Sequence, residues 1–307
     1  MVNNVEDFSN IIARLSDSGS YNEMFHEPLH GEELPSVEEL RNIVEIIREI
    51  IFPGFYGNSG LSPKNLQYFT GVNINRLHEK LYVQILRGLC FECKNEKRMT
   101  CYQECADHAI EVSGKFISML PELREKLATD VKATFDADPA AKSIGEVIFC
   151  YPGIRAITNY RIAHELLKLN VPLIPRIIAE MAHSETGIDI HPRAEIGNYF
   201  TIDHGTGVVI GATSIIGNHV RIYQGVTLGA RSFPLDENGN PIKGIPRHPI
   251  LKDHVIIYSM ATILGRITVG ENSIIGGNVW VTHDLPPNSK VIQHRAKEGL
   301  FSDGGGI

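Results

Sequence analysis

An aliphatic residue recurs at every sixth position through much of the C-terminal half of this 307-residue chain. One arm reads Ile190, Ile196, Ile202, then Ile210, Ile216, Ile222 and Leu228; a second reads Leu251, Ile257, Ile263, Val269, Ile275 and Val281. Helices repeat near 3.6 residues and strands near 2, so this period fits neither. It marks a parallel β-helix: each hexapeptide gives one short strand and a turn, three faces close a triangular coil of about eighteen residues, and the aliphatic column fills the interior. Gly197, Gly211, Gly217, Gly229, Gly270 and Gly276 each follow the column and are expected to allow tight corners, with positive φ at many of them.

Two features interrupt the period. Residues 230–249, "ARSFPLDENGNPIKGIPRHP", are polar and proline-rich and are expected to leave the prism as a loop. Between Ile202 and Ile210 the step lengthens from six to eight, through "IDHGTGVV". Asp203 and His204 cannot face an aliphatic interior without large cost. The corner is therefore expected to bulge, turning at Gly205 and Gly207 and presenting the imidazole at a surface cleft. Asp189 lies fifteen residues earlier, about one coil by count, and stacked coils are about 4.8 Å apart. Its carboxylate would then accept a proton from one ring nitrogen and leave the other as a base. The same spacing also fits a solvent-facing histidine beside a turn aspartate. Arg247 and His248 stand where the loop rejoins the prism; a guanidinium fork there suits a carboxylate or a surface ion pair. His183, His191 and His254 read as structural or solvated.

The N-terminal half is helical in pattern. Leu40, Ile43, Val44, Ile47 and Ile50 line one face behind a Ser36/Glu39 capping box, and Pro53-Gly54 ends the run. Further stripes are Leu77, Leu81, Ile85, Leu89 and Leu123, Leu127, Val131, Phe135. A proline-punctuated stretch from Tyr151 to Gly187 supplies two more helices. These stripes imply core and subunit contacts rather than chemistry.

A net charge of -7 leaves no basic field for nucleic acid or an anionic membrane. No apolar run approaches the roughly 18 residues of a membrane span, and the start lacks a secretion pattern, so the expected location is the cytoplasm. Five cysteines in such a chain are expected to be reduced. Four of them, Cys90, Cys93, Cys101 and Cys105, crowd into sixteen residues. They read either as small apolar residues on a helix and turn or as a tetrahedral thiolate site.

The blocks "DVKATFDADPAA", "YRIAHELL", "TGIDIHPRAEIG", "IDHGTGVVIG", "YQGVTLGA" and "RHP" follow in order between about Asp130 and Pro287. In these the chain resembles the serine O-acetyltransferases. The resemblance implies an α+β chain: a helical N-terminal domain over 1–186, a left-handed parallel β-helix over 187–288 with one protruding loop, and a tail over 289–307. Handedness comes from the resemblance alone, because parallel crossovers are ordinarily right-handed. It implies homotrimers, commonly paired into hexamers, with active sites between adjacent prisms. The implied reaction moves acetyl from acetyl-CoA, a co-substrate, to the hydroxyl of L-serine, giving O-acetylserine in cysteine biosynthesis, with no permanently bound cofactor and no metal.

Residue by residue, it makes His204 the general base and Asp189 its orienting partner. Asp138 and Asp203 would hold the serine ammonium, and Arg247 and His248 would stand beside its carboxylate. The coenzyme would run past Gly229, Ala230, Ser259 and Gly277. The C-terminal Ile307 would dock on O-acetylserine sulfhydrylase. Three departures stand out. Ala212 replaces a glutamate, "KVIQHRAKEGLF" replaces the usual G-x-P-A-[KR], and Tyr258 and Ser259 replace smaller residues. The residues alone leave open another acceptor such as homoserine or a sugar, a zinc lyase, and a scaffold acting through its tail.

Overall fold

The computed structural model describes residues 8–22, 24–27, 31–57, 60–93 and 98–293. Ile307 and the tail beyond residue 293 lie outside the described residues. Among the described residues, nine helices precede fourteen short strands.

Two short helices, α1 (Ser9–Leu15) and α2 (Ser18–Tyr21), lead to α3 (Val37–Ile51). Ser36 Oγ accepts the Glu39 N–H at 3.2 Å, and the expected stripe of α3 is buried. α4 (Leu66–Glu92) packs beside α5 (Arg98–Ser118), a helix the sequence pattern did not reveal. α6 (Leu120–Ala137), α7 (Ile144–Cys150), α8 (Pro152–Lys168) and α9 (Ile174–Thr186) complete the helical part. Among the described residues, no helix is long and apolar enough to cross a membrane.

The helices are tied to the first coil by a buried ion pair. Arg161 of α8 grips Asp130 of α6 with two prongs, Nε to Oδ2 at 2.6 Å and Nη2 to Oδ1 at 2.9 Å. Nη2 also donates to the Gly197 carbonyl at 2.8 Å, and the Phe200 N–H donates to Asp130 Oδ1 at 3.0 Å. Removing either partner would strand a charge in the core, at a cost of about 3–5 kcal/mol.

At Gly187 (φ 70°) the helical part ends and the chain winds into a left-handed parallel β-helix of about five coils. Its first face stacks β1 (Asp189–Ile190), β4 (Val209–Ile210), β7 (Thr227–Gly229), β10 (Thr262–Leu264) and β13 (Trp280–Val281). The second stacks β2 (Glu195–Ile196), β5 (Ile215–Ile216), β8 (Ile250–Leu251) and β11 (Thr268–Val269). The third stacks β3 (Thr201–Asp203), β6 (Arg221–Tyr223), β9 (Ile256–Ile257), β12 (Ile274–Ile275) and β14 (Lys290–Val291). Strand β7 ends at Gly229 and β8 begins at Ile250, so residues 230–249 form the excursion between them.

Every member of the six-residue column is buried. A second inward column stands two residues earlier and includes Ile188, Phe200, Val208, Val220, Val226, Val255 and Ala261. The glycines after the aliphatic column do not carry positive φ, contrary to expectation. Positive φ falls instead three residues before the column, at Tyr199, His219, His254, Asn272 and Asn288 on one corner and at Gly207, Gly225, Met260 and Asn278 on another. Those glycines answer to close approach: a Cβ on Gly197 would sit 2.7 Å from the Gly217 carbonyl oxygen, and one on Gly270 2.4 Å from Pro287 N.

Candidate active site

The two-residue insertion forms a bulged corner between β3 and β4. His204 (φ 56°), Gly205 (φ 90°) and Gly207 (φ 80°) all take left-handed backbone, and the Val208 N–H closes the turn on the Gly205 carbonyl at 2.9 Å. A Cβ on Gly205 would lie 2.4 Å from Ile188 Cδ1, so only glycine lets this corner settle against the coil. The imidazole points outward as expected, 75% exposed in the single chain, while the Asp203 carboxylate is 21% exposed.

Two carboxylates neighbour that ring. His204 Nε2 lies 3.8 Å from Asp203 Oδ1. Asp138, just past the end of α6, feels the charges of His204 and Arg221. Its Oδ2 accepts the Tyr151 hydroxyl at 2.5 Å and its Oδ1 the Ala140 N–H at 2.8 Å. The Tyr151 hydrogen bond foremost, then the Ala140 amide, hold the Asp138 carboxyl below the usual carboxylate range. The same bond pushes Tyr151 up to about 12, so it remains a donor.

Tyr151 was not singled out in the sequence. It caps α8, whose second residue Gly153 lies so near β3 that a Cβ would be 2.2 Å from the Ile202 carbonyl oxygen. That contact sets the helix start beside Asp203. Arg221, also not foreseen, donates to the Ala137 carbonyl at 3.2 Å and steadies the turn that carries Asp138.

Asp189 does not bond to the ring as expected. A spacing of fifteen is not one coil here, because the bulge stretches the first coil: Asp189 registers with Val209, twenty residues on. The ion-pair neighbour of His204 in this chain is Asp203.

Arg247 and His248 occupy the next corner, beyond β4. His248 is buried, and its ring edge lies so close to Gly211 that a Cβ there would be 2.0 Å from Cδ2. Thr213 organises the pair: its Oγ1 accepts the N–H of Arg247 at 2.9 Å and of His248 at 3.1 Å. His248 Nδ1 accepts the Thr213 N–H at 3.1 Å and stands 2.8 Å from Thr213 Oγ1. An amide can only donate, so Nδ1 is unprotonated and the neutral ring carries its proton on Nε2. Burial, then Arg247 and Arg266, hold its pKa down at about 4. His191 is nearby and pushed down to about 4 by burial, Arg176 and Arg193. This corner is thus a set of guanidinium groups around neutral imidazoles.

The first corner is anionic with an exposed imidazole; the second is cationic with a neutral donor. In one chain they lie at opposite ends of β4, separated by the width of a face. The suggested coenzyme residues divide the same way. Gly229 ends β7 and Ala230 follows it near the second corner, whereas Ser259 and Gly277 stack before β10 and β13 near the first, with a Cβ on Gly277 falling 3.0 Å from the Ser259 carbonyl oxygen. Tyr258 stacks on Tyr223 (5.1 Å, 8°), which registers with Asp203, so aromatic rings continue the wall above the acidic corner.

No family model matches the chain. A plasmid serine acetyltransferase of Synechococcus elongatus is 50% identical over 275 residues, covering 89% of this chain and 86% of that protein. The structure of Entamoeba histolytica serine acetyltransferase isoform 3 in complex with cysteine superposes with a TM-score of 0.71 at 31% identity, covering 95% of this chain and 92% of that one. That of Neisseria gonorrhoeae serine acetyltransferase in complex with serine gives a TM-score of 0.54 at 26% identity, covering 83% and 97%.

Proposed function

The chain belongs to the serine acetyltransferases, and from that premise we propose how its two corners divide the transfer of acetyl from acetyl-CoA to the hydroxyl of L-serine. Asp138 and Asp203 receive the serine ammonium. Arg247 and the Nε2–H of His248 receive the carboxylate, a bidentate fork beside a neutral donor. His204 takes the hydroxyl proton as that oxygen bonds to the thioester carbon. The C–S bond then breaks, the sulfur leaves as coenzyme A, taking a proton, and O-acetylserine remains.

The observation that carries this reading is the separation of the corners. One amino acid cannot bridge both ends of β4, so an ammonium site and a carboxylate site on one chain belong to two different active sites. A threefold arrangement brings the His204 corner of one prism against the Arg247 corner of the next and makes each site whole. The coenzyme residues join across the same seam, Ser259 and Gly277 from one prism and Gly229 and Ala230 from its neighbour. Pairing of trimers falls to the helical domain, 1–186, and the tail carries Ile307 to O-acetylserine sulfhydrylase. The reading places the protein in the cytoplasm, where acetyl-CoA and serine meet.

Complementation tests it. His204→Ala and Arg247→Ala chains, each inactive alone, are refolded together and assayed for serine-dependent thiol release. Random mixing rebuilds about one site in four. Mixtures as inactive as the parents would sink the shared site. Preference for L-serine over L-homoserine in the wild type tests the acceptor.

A further inference from the structure

The four cysteines of the α4–α5 connection take no part in that chemistry, and the structure brings them together. Cys93 and Cys101 are joined as a disulfide, against the expectation that all five cysteines are reduced. Yet the sulfur atoms of Cys93, Cys101 and Cys105 all lie within 4.8 Å of one another. Cys90 is buried one turn before Cys93 and has the Cys105 thiol as a neighbour, its sulfur standing just outside that set. A disulfide would employ two of these four and leave two thiols beside it without a task.

We propose that Cys90, Cys93, Cys101 and Cys105 form a tetrathiolate site for one zinc ion that clamps the end of α4 to the start of α5. Cys90 and Cys93 form a C-x2-C pair at the end of α4, and Cys101 and Cys105 stand one turn apart on one face of α5. Each pair chelates from its own segment, and two such pairs complete a tetrahedron. With Zn–S bonds of about 2.3 Å, tetrahedral sulfur atoms stand about 3.8 Å apart, within the span the three sulfurs already occupy. The Cα atoms of Cys93 and Cys101 are 7.6 Å apart. That is wider than the roughly 4.4–6.8 Å usual for disulfides and suits two thiolates on a shared ion.

Loading the four-thiol form exchanges four S–H bonds for four Zn–S bonds and releases four protons, leaving a dianionic centre. The clamp would hold a helix pair whose connection carries little apolar sequence of its own.

The full chain, purified with a phosphine reductant and no added metal, should carry about one zinc per chain by mass spectrometry of the metal. Replacement by cobalt(II) should give the intense visible bands of a tetrahedral thiolate complex. Cys93→Ser/Cys101→Ser should lose the zinc and the bands, whereas Cys150→Ser, at an exposed thiol outside the group, should keep both. Serine-dependent thiol release by the wild type is measured in parallel, so loss of the metal site is distinguishable from loss of the catalyst. Reduced wild-type protein that takes up neither zinc nor cobalt overturns the proposal, whether or not the variants fold. So does an iron–sulfur chromophore, or a Cys93–Cys101 disulfide that survives the reductant.

Discussion

Thr213 gives the sharpest test of how the cationic corner is held. Its hydroxyl is used fully, accepting the N–H groups of Arg247 and His248 and donating to His248 Nδ1. Thr213→Val keeps the shape and deletes all three bonds. At about 0.5–1.5 kcal/mol net apiece, the loss of stability comes to about 1.5–4.5 kcal/mol. The functional effect should exceed what stability explains, because Arg247 and His248 lose the group that fixes their backbone. A displacement of about 1 Å can cost on the order of 100-fold in rate. Steady-state kinetics should therefore show kcat/KM for serine lowered by about 10- to 100-fold, with the KM for acetyl-CoA little changed. Thr213→Ser restores the hydroxyl and should recover both stability and serine affinity. If Thr213→Val and Thr213→Ser behave alike toward serine, the hydroxyl does not organise the pair and the reasoning fails.

Three further outcomes follow from the same geometry. His204→Ala should lower kcat by about 10²- to 10⁴-fold with an unchanged melting temperature, since the ring is exposed; near wild-type turnover would remove it from the chemistry. Tyr151→Phe deletes the main cause of the depressed Asp138 pKa. A depressed carboxyl contributes above its ordinary pKa and is lost as pH falls through the lowered one, so the acid limb of kcat/KM for serine should move to higher pH in the variant. Gly211→Ala puts a Cβ 2.0 Å from the His248 ring and should cost about 1–3 kcal/mol by overpacking, together with serine affinity. Gly217→Ala, whose Cβ would meet Asp253 Oδ1 at 2.3 Å away from the site, should destabilise without a selective serine effect.

The parts legible in the sequence were those that repeat. Thirteen aliphatic residues at a fixed period disclosed one buried column, and the one irregular step disclosed the His204 corner. The second column stayed hidden because it mixes residue types, with Ser214 and Ser273 buried in it beside Val and Ala. The glycines after the column are visible in the sequence but their cause is not: the left-handed corners fall three residues before the column, mostly on His, Asn and Tyr beside Gly207 and Gly225, and the glycines after it answer to coil contacts. Tyr151 and Arg221 reach Asp138 and its turn from 13 and 84 residues away, by hydrogen bonds that depend on how α8 and the second coil pack on the first. No periodicity records such a meeting. The Asp189 spacing misled for a similar reason, since the insertion that exposes His204 also lengthens the coil by which the count was made.

The threefold arrangement proposed above would also cover one particular face. Joining the β3–β4 corner of one prism to the corner beyond β4 of the next leaves the first face between them, turned toward the threefold axis. Its outward residues are Asp189, Val209, Thr227, Thr262 and Trp280, of which Val209 is 38% and Trp280 72% exposed in the single chain. A heterologous contact that closes after three steps repeats each face residue at the axis, so a charge placed there is repelled by its own copies. Val209→Glu introduces it on a strand whose inward neighbour Ile210 keeps the coil core intact. On that arrangement, sedimentation should show a trimeric wild type and a monomeric variant, with folded coils by circular dichroism and serine acetylation lost. A Val209→Glu protein that remains trimeric and active would place the axis against another face, and the shared site would lose its geometric basis.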